Sequence, residues 1–389
     1  MKRAFCIIFA ILILVSGCTP VPEKEIPHEN KDTIKAVWIY YSELEMLDSR
    51  GGTEKSFTDK INTMFDNCVR WGINTVFLQV RPCADSFYES DIFPWSYYLT
   101  GKQGKAVSYD PLEICVNLAH EKGLSLHAWI NPFRISFDDD VSKLSSAHPA
   151  IAWIKSKTSD VVFVNDGIYF SPASMNAQKL VLDGVREIVK NYDVDGIHID
   201  DYFYPSTGDN VDSVYYNEYK TNGGKSGLTK WRLDTVSAFI GQMYTTVKSE
   251  NADCVFSISP AGNINNNYEQ QFADVKLWCS RRGYADWIIP QLYYGFENDK
   301  LSFDKAISQW EKLNTIGAVK MIYGVGAYKV NDSDDEWDAG SGIIDKQLEI
   351  IRETEDSYGV AFFSYSSLAD SGRSAEFRNI PSFEIPSEQ

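Results

Sequence analysis

The sequence predicts an α/β fold, a (β/α)8 TIM barrel with long βα loops and a β-hairpin inserted between strands 3 and 4. Short apolar runs of strand length alternate with longer stretches of helical periodicity, a pattern typical of a parallel sheet covered by helices. Eight such runs fit a closed barrel better than an open doubly wound sheet. A G-x-G-x-x-G motif does not follow the first run, which disfavours a dinucleotide-binding fold.

The predicted strands are the runs rich in β-branched and aromatic residues: 36–40, 75–81, 125–131, 196–200, 254–259, 287–293, 319–324 and 360–365. The predicted helices lie between them: 56–71, 111–120, 177–192, 228–251, 303–315 and 343–357. In the first helix, Phe57, Ile61 and Phe65 recur at helical spacing. Pro111 suits the first turn of the second helix.

Long segments follow the second, third and fourth predicted strands. Segments 161–164 and 168–171 flank Asn165-Asp166-Gly167, a hairpin signal that we assign to an insertion in the third βα loop. Loops 85–104 and 205–225 are also long, and the first is rich in Tyr, Trp and Pro. Because βα loops form the active-site face of such barrels, we expect these segments to border a substrate cleft.

The strongest chemical signal is the acidic doublet that ends the fourth strand. Alternation places His198 and Asp200 on one face, which we expect to look into the barrel because the isoleucines beside His198 suit the helix layer. Asp201 then begins the loop. Two carboxyl groups this close tend to separate their pKa values, and glycosidic bond cleavage needs such a pair. In the alternative, one Asp caps the following turn and the other binds an arginine.

Other strand ends carry side chains that could bind sugars. Gln79 and Arg81 are expected to point the same way, so that Arg81 pairs with Asp200 or binds a substrate carboxylate; an ion pair at the barrel rim is the equal alternative. His127 lies deeper and is expected to be a core histidine. The predicted substrate-binding residues are Arg81, Asp85, Trp95, Asn131, Arg134, His198, Tyr202, Gln291 and Tyr293.

The sequence offers several candidates for the general acid. Many barrel glycosidases carry a Glu at another strand end, but the fifth strand ends at Ser257–Pro260 without a carboxylate. The candidates are Asp85, Glu297 and Asp201. One solution is substrate-assisted cleavage, in which the carbonyl of a 2-acetamido group is the nucleophile. Asp200 is then the nucleophile or the carboxylate that orients the acetamido group, and Asp201 is the acid partner.

The N-terminus is typical of an exported lipoprotein. Residues 1–3 are followed by an uncharged apolar run over 4–15, and the run ends Val15-Ser16-Gly17-Cys18, a lipobox whose Cys18 thiol takes a diacylglycerol. We therefore expect extracytoplasmic anchoring to the cell membrane through this lipid alone. The expected segments are a signal peptide over 1–17, a flexible tether over 18–33, the barrel over 34–375 and a C-terminal tail over 376–389.

The amino-acid composition limits the classes of molecule that the protein is expected to bind. The formal net charge of −17 argues against binding of nucleic acid or other polyanions, and the 14% aromatic content suits carbohydrate-stacking surfaces. Besides Cys6 and Cys18, five cysteines lie in apolar patterns without zinc spacing, and we expect buried free thiols. The sequence requires no metal or cofactor. We expect a monomer, and two hinged lobes typical of a transporter-binding lipoprotein are not indicated.

The chain resembles glycosyl hydrolase-like family 10, a group of bacterial extracytoplasmic (β/α)8-barrel proteins, many of them lipoproteins. The matching segments keep their order over nearly the whole mature chain: Gln79-Val80-Arg81-Pro82, Pro94-Trp95-Ser96, Leu99-Thr100-Gly101, Tyr109-Asp110-Pro111-Leu112, His127 to Arg134, Asp195 to Tyr202, Ser257 to Pro260, and Pro290 to Tyr294. Family members usually have an Asp shortly before the position of Asp85, where this chain has Cys83-Ala84.

The resemblance implies a glycoside hydrolase that acts on bacterial polysaccharide, with peptidoglycan glycan strands as the implied substrate of some members. Together with the acidic doublet, it predicts hydrolysis of O-glycosyl bonds in a cell-wall or extracellular polysaccharide. The alternative is a non-catalytic surface lipoprotein that binds glycans through the same cleft, which would show affinity without turnover.

Overall fold

The computed structural model describes residues 33–47, 52–332 and 335–385, so the predicted signal peptide, Cys18 and most of the tether lie outside the described residues. The strands, in chain order, are β1 (Ile34–Ile39), β2 (Thr75–Arg81), β3 (Ser125–Ile130), β4 (Arg134–Ser136), β5 (Val161–Val164), β6 (Gly167–Phe170), β7 (Gly196–Ile199), β8 (Val255–Ile258), β9 (Trp287–Ile288), β10 (Lys320–Val325) and β11 (Ser357–Phe362). Eight of them form a closed parallel barrel in the order β1-β11-β10-β9-β8-β7-β3-β2. The predicted TIM barrel is confirmed.

Helices cover the outside of the barrel and occupy its loops. They are α1 (Glu54–Arg70), α2 (Tyr97–Thr100), α3 (Pro111–Glu121), α4 (Ala150–Ser156), α5 (Met175–Asn191), α6 (Ser213–Thr221), α7 (Leu228–Glu250), α8 (Ile264–Glu269), α9 (Val275–Ser280), α10 (Phe303–Glu311), α11 (Ile343–Glu353) and α12 (Tyr365–Ala369). The six predicted helices correspond to α1, α3, α5, α7, α10 and α11. Across the described part of the chain, every helix is too short or too polar to cross a bilayer.

Local sequence explains where the outer helices begin and which face they bury. Thr53 caps α1 by accepting a hydrogen bond from the Ser56 backbone N–H. The same helix buries Phe57, Ile61 and Phe65 against the barrel, as their spacing predicts. The five cysteines within the described residues are all buried free thiols, which confirms that expectation.

The predicted hairpin between barrel strands β3 and β7 is present as β5 and β6. Its two turn residues, Asn165 and Asp166, have φ angles of 50° and 58°, as a type I′ turn requires. A third strand, β4, pairs antiparallel with β6 and was not predicted. The Asn165 side chain donates to the Pro205 carbonyl at 2.7 Å, which attaches the hairpin to the loop after β7.

The barrel interior is filled by aromatic and histidine rings. Trp38 Nε1 donates to His198 Nε2 at 3.0 Å, and His198 Nδ1 lies 2.8 Å from Ser257 Oγ. The Phe77 ring stacks on His198 with centroids 4.2 Å apart. His198 therefore faces inward, as alternation along β7 predicts, and both of its ring nitrogens have partners.

The segment that we expect as a C-terminal tail covers the amino-terminal end of the barrel as far as residue 385. Lys35 Nζ binds Glu384 Oε1 at 2.9 Å, and the Ile385 backbone N–H donates to Thr33 Oγ1 at 2.8 Å. Phe383 is fully buried beside these contacts. This packing leaves the opposite, carboxyl-terminal end of the strands to the βα loops.

Gly196 is required by the close packing of the barrel interior. A Cβ atom at this position would lie 2.4 Å from Nδ1 of the buried His127 ring. We expect Gly196→Ala to lower the free energy of unfolding by about 1–3 kcal/mol, as overpacking in a core does, measured by urea denaturation. Gly241→Ala in α7 is the control, because its Cβ would make only a 3.8 Å contact. Equal effects of the two substitutions would contradict this packing argument.

Candidate active site

A cavity of about 380 Å³ opens at the carboxyl-terminal ends of the barrel strands. Its lining comes from strand ends and βα loops and is mostly aromatic: Trp38, Tyr40, Tyr41, Gln79, Trp129, Arg134, Phe137, Asp200, Asp201, Tyr202, Ser259, Gln291, Tyr293, Tyr328 and Phe363. Of these described lining residues, only Asp200 and Asp201 carry carboxyl groups. Acid–base chemistry in this cavity therefore centres on the doublet after β7.

Asp200 is a buried carboxyl group with an unusual affinity for protons. Its side chain is 4% exposed, and the Asn131 amide donates to Oδ1 at 3.1 Å and to Oδ2 at 3.4 Å. Burial raises the pKa of Asp200 to about 7, against the opposing effects of Arg134 and of hydrogen bonds from Asn131 and Trp129; the Asp201 charge raises it further. At neutral pH, this carboxyl group can therefore hold or release a proton.

Asp201 lies at the start of the loop, where it shares the cavity with Asp200. Burial also raises the pKa of Asp201, while a hydrogen bond from Gln291 and the charge of Arg134 oppose this effect. Gln291 is itself held by a hydrogen bond from its Nε2 to the Ser259 carbonyl at 3.1 Å. Both neighbouring carboxyl groups therefore bind a proton more readily than an exposed aspartate does.

Arg134 supplies the positive charge next to the pair. Its guanidinium lies between two rings, 4.5 Å from the Tyr202 centroid and 4.6 Å from the Phe137 centroid. The Arg134 backbone N–H donates to Asn131 Oδ1 at 2.9 Å, and Asn131 in turn donates to Asp200. Asn131 thus connects the first residue of β4 to the carboxyl group at the end of β7.

Aromatic rings from the loops after β1, β9, β10 and β11 form a wall of the cavity. The Tyr40 and Phe363 rings stack with centroids 5.9 Å apart, and Tyr293 lies 5.8 Å from both Phe363 and Tyr328. Aromatic side chains of this kind present a large apolar surface with a polar hydroxyl at its edge.

Glu43 holds the two loops that carry this wall. Its Oε1 accepts hydrogen bonds from the Ser366 backbone N–H at 2.6 Å and from Ser364 Oγ at 3.1 Å. Its Oε2 accepts a hydrogen bond from the Tyr40 backbone N–H at 3.0 Å. The loops after β1 and β11 are joined in this way, so Glu43 positions the wall without lining the cavity.

The cavity brings together six of the residues proposed from the sequence: Asp200, Asp201, Arg134, Tyr202, Gln291 and Tyr293. Asn131 is 1% exposed and lies behind Asp200, so it would act on a substrate only through that carboxyl group. His198 is fully buried below the cavity floor, because its inward position lies two residues deeper in the barrel. Direct sugar binding by His198 does not fit this position.

Arg81 does not lie in the cavity, and the expectation that it points the same way as Gln79 was wrong. The register between β2 and β3 shifts after Gln79, so that Arg81 pairs with Ile130 and faces the helix layer. The Arg81 guanidinium lies 4.6 Å from the Phe93 ring centroid, and its Nη1 approaches Gly184 of α5. Gln79 faces inward and lines the cavity.

The remaining candidates lie outside the cavity. Asp85 lines a second, adjoining cavity, and Trp95 is half-buried in the loop after β2, where it forms a bridge with Ser86. Glu297 is exposed on the loop after β9. Of the three residues considered for the general acid, Asp201 is therefore the one that the structure brings to Asp200.

Several lining residues were not proposed from the sequence. Tyr40 and Phe363 directly follow β1 and β11, so the rule that strand ends form the active-site face would have found them. Tyr41, Phe137 and Tyr328 lie one or more residues further along their loops. No sequence pattern around Tyr41, Phe137 or Tyr328 predicts that they line the cavity.

The raised pKa of Asp200 predicts how the stability of the fold depends on pH. In the folded protein the pKa of Asp200 is about 7, above the ordinary value of 3.8. The favourable contribution of protonated Asp200 to the free energy of unfolding is therefore fully present below pH 3.8 and is lost as the pH rises through 7. We expect Asp200→Asn to become more stable than the wild type by about 1–4 kcal/mol across this window. Urea denaturation from pH 4 to pH 8 measures this difference. A difference that stays constant with pH would contradict the assignment.

Comparisons with known proteins agree with this architecture. The Glycosyl hydrolase-like 10 family model matches residues 33–339. Glycosyl hydrolase YngK of Bacillus subtilis (strain 168) is 31% identical over 356 residues, which cover 86% of this chain and 68% of that protein. Glycosyl hydrolase DigH of Escherichia coli (strain K12) is 29% identical over 341 residues, which cover 80% of this chain and 75% of that protein.

A solved structure supports the fold independently. The glycoside hydrolase domain of PgaB (BpsB) from Bordetella bronchiseptica has a TM-score of 0.64 at 11% sequence identity, and the match covers 90% of this chain and 99% of that domain. Similarity at this level of identity concerns the barrel fold alone. The family model, in contrast, spans most of the barrel, including the strand end that carries Asp200 and Asp201. The chain therefore belongs to the glycosyl hydrolase-like 10 family.

Proposed function

We propose that this protein is a glycoside hydrolase that cleaves glycosidic bonds in a peptidoglycan-like cell-wall polysaccharide. The observation that carries the proposal is the pair of adjacent carboxyl groups, Asp200 and Asp201, both with raised pKa values, in an open aromatic cavity at the strand ends of the barrel. Glycosidic cleavage requires one group that donates a proton and one that stabilises positive charge. Two neighbouring carboxyl groups with raised pKa values can divide these roles between them.

Substrate-assisted cleavage suits this arrangement, since the two carboxyl groups are neighbours in the chain. In our proposal Asp200, at the bottom of the cavity, accepts a hydrogen bond from the N–H of a 2-acetamido group. The acetamido carbonyl oxygen then attacks the anomeric carbon, and Asp201 protonates the leaving glycosidic oxygen. Trp38 and Trp129, which line the floor, offer an apolar surface to the acetamido methyl group. Water subsequently opens the cyclic intermediate and regenerates the acetamido group.

Activity on defined glycans tests this proposal. We expect the purified chain to release fragments from peptidoglycan glycan strands stripped of their peptides, but not from starch or cellulose, which lack acetamido groups. Asp200→Asn and Asp201→Asn should each lower kcat/KM by about 10²–10⁴-fold, the usual contribution of acid–base catalysis. Asp139→Asn, on an exposed loop residue, is the matched control. Reducing ends and fragment masses provide the readout.

The products of the same reaction distinguish the mechanisms. Participation of the acetamido group gives products that retain the anomeric configuration of the substrate, as proton NMR of freshly released ends detects. Clean inversion would eliminate the substrate-assisted mechanism while leaving a hydrolase. Binding of the stripped strands without any release would instead support the non-catalytic glycan-binding protein.

We also propose that the mature protein begins at Cys18 and is attached to the cell membrane from the extracytoplasmic side. The support is the lipobox Val15-Ser16-Gly17-Cys18 after a short apolar run. We expect radiolabelled palmitate to be incorporated into the wild type and not into Cys18→Ser in a bacterial host. The same substitution should move the protein from the membrane fraction to the soluble or precursor fraction. Equal labelling of both proteins would refute the anchor.

A further inference from the structure

A second cavity, of about 440 Å³, adjoins the first. It is built by the loop after β2 and by the segment that follows β4. Phe137 lines both cavities and is 46% exposed, so a single ring forms the partition between them. The second cavity is therefore an extension of the cleft and not a separate depression on another face of the barrel.

Aromatic side chains run from one cavity into the other. The Tyr41 ring, which lines the first cavity, lies 5.4 Å from Phe137 and 4.5 Å from Tyr98. Tyr98 packs edge-on against Tyr97 at 5.5 Å, and these two residues line the second cavity. Tyr97 is 47% exposed, which leaves much of its ring free to pack against a ligand. A chain of sugar rings could follow this path.

Asp85 adds a buried carboxyl group to the second cavity, and one of its two oxygens lacks a hydrogen bond within the described residues. Its side chain is 2% exposed, and its Oδ1 makes no hydrogen bond within the described part of the chain, while Gln103 donates weakly to Oδ2 at 3.4 Å. Burial raises the pKa of Asp85 to about 6, although hydrogen bonds from Ser96, from Gln103 and from the Tyr97 and Cys83 backbone oppose this effect. In its ionised form the group accepts hydrogen bonds only.

The other charged groups of the second cavity already neutralise each other. Lys143 Nζ binds Asp138 Oδ2 at 2.7 Å at the edge of the cavity. The Cys83 thiol stays neutral, because burial raises its pKa well above the ordinary value. A buried acceptor without a partner costs free energy unless a ligand supplies the donor. Asp85 Oδ1 is thus the buried acceptor of this cavity that can take a hydrogen bond from a ligand.

We propose that the second cavity is a further sugar subsite of the same cleft, and that Asp85 accepts a hydrogen bond there from a hydroxyl or amide N–H of the glycan. This inference rests on the proposed function. The sugar unit in this subsite belongs to the chain whose cleaved unit lies at Asp200 and Asp201. Tyr97 stacks on the sugar unit in the second cavity, and Phe137 lies between this unit and the next unit of the chain in the first cavity. The enzyme therefore gains catalytic efficiency from longer glycans.

The test compares stripped peptidoglycan glycan strands of two lengths, a tetrasaccharide and an octasaccharide. The measured quantity is the ratio of kcat/KM on the long strand to kcat/KM on the short strand. We expect Tyr97→Ala and Asp85→Asn each to lower this ratio by about tenfold, the change that one lost stacking contact or hydrogen bond produces. Tyr328→Ala is the matched control, because its ring lines the first cavity only and should affect both strands alike.

The outcomes separate the two proposals. If the wild type cleaves neither strand, the proposed function fails. The subsite is then tested by binding: calorimetry measures the dissociation constant of each strand, and the affinity for the long strand is divided by the affinity for the short strand. The subsite proposal is overturned if the wild type shows no preference for the long strand. It is also overturned if Tyr97→Ala keeps the wild-type ratio, since this exposed side chain can be removed without loss of the fold. Melting temperatures verify that each variant is folded.

Discussion

The hydrogen bonds of His198 to Trp38 and Ser257 determine the interior on which the whole site rests. They connect β1, β7 and β8 across the centre of the barrel. Burial lowers the pKa of His198 well below its ordinary value, so the ring is neutral, with Nε2 as acceptor and a proton on Nδ1. The fully buried His198 ring, with Phe77 stacked on it, lies below the cavity. Asp200 follows His198 by two residues on the same face of the chain and therefore lies directly above this ring, at the bottom of the cavity.

The cavity combines charged and aromatic side chains. Asp200 and Asp201 lie with Arg134, and the wall formed by Tyr40 and Phe363 is aromatic. The proposed mechanism takes its nucleophile from the substrate, since the two carboxyl groups follow each other directly in the chain.

Regular elements could be predicted from the sequence, and local irregularities could not. Alternation along β7 correctly directs His198 and Asp200 inward, and Asn165-Asp166 correctly predicts the inserted hairpin. The same alternation fails at Arg81, because the shift in register after Gln79 reverses the face of this last residue of β2. The three-residue strand β4 is too short to produce a periodic pattern. The aromatic wall residues Tyr40 and Phe363 were not predicted, because aromatic side chains next to apolar strands are also typical of a buried core.

The inserted sheet has a consequence for how this cleft can be modified. Arg134, the cation next to the carboxyl pair, is the first residue of β4 and lies outside the barrel strands. The insertion is also attached to the loop after β7 by the bond from Asn165 to Pro205. A change in the insertion can therefore alter the proton affinity of the pair while the eight-stranded framework stays intact. The pKa values of the carboxyl pair can thus be changed by substitutions in the insertion that leave the barrel strands unaltered, which makes the insertion a target for redesign.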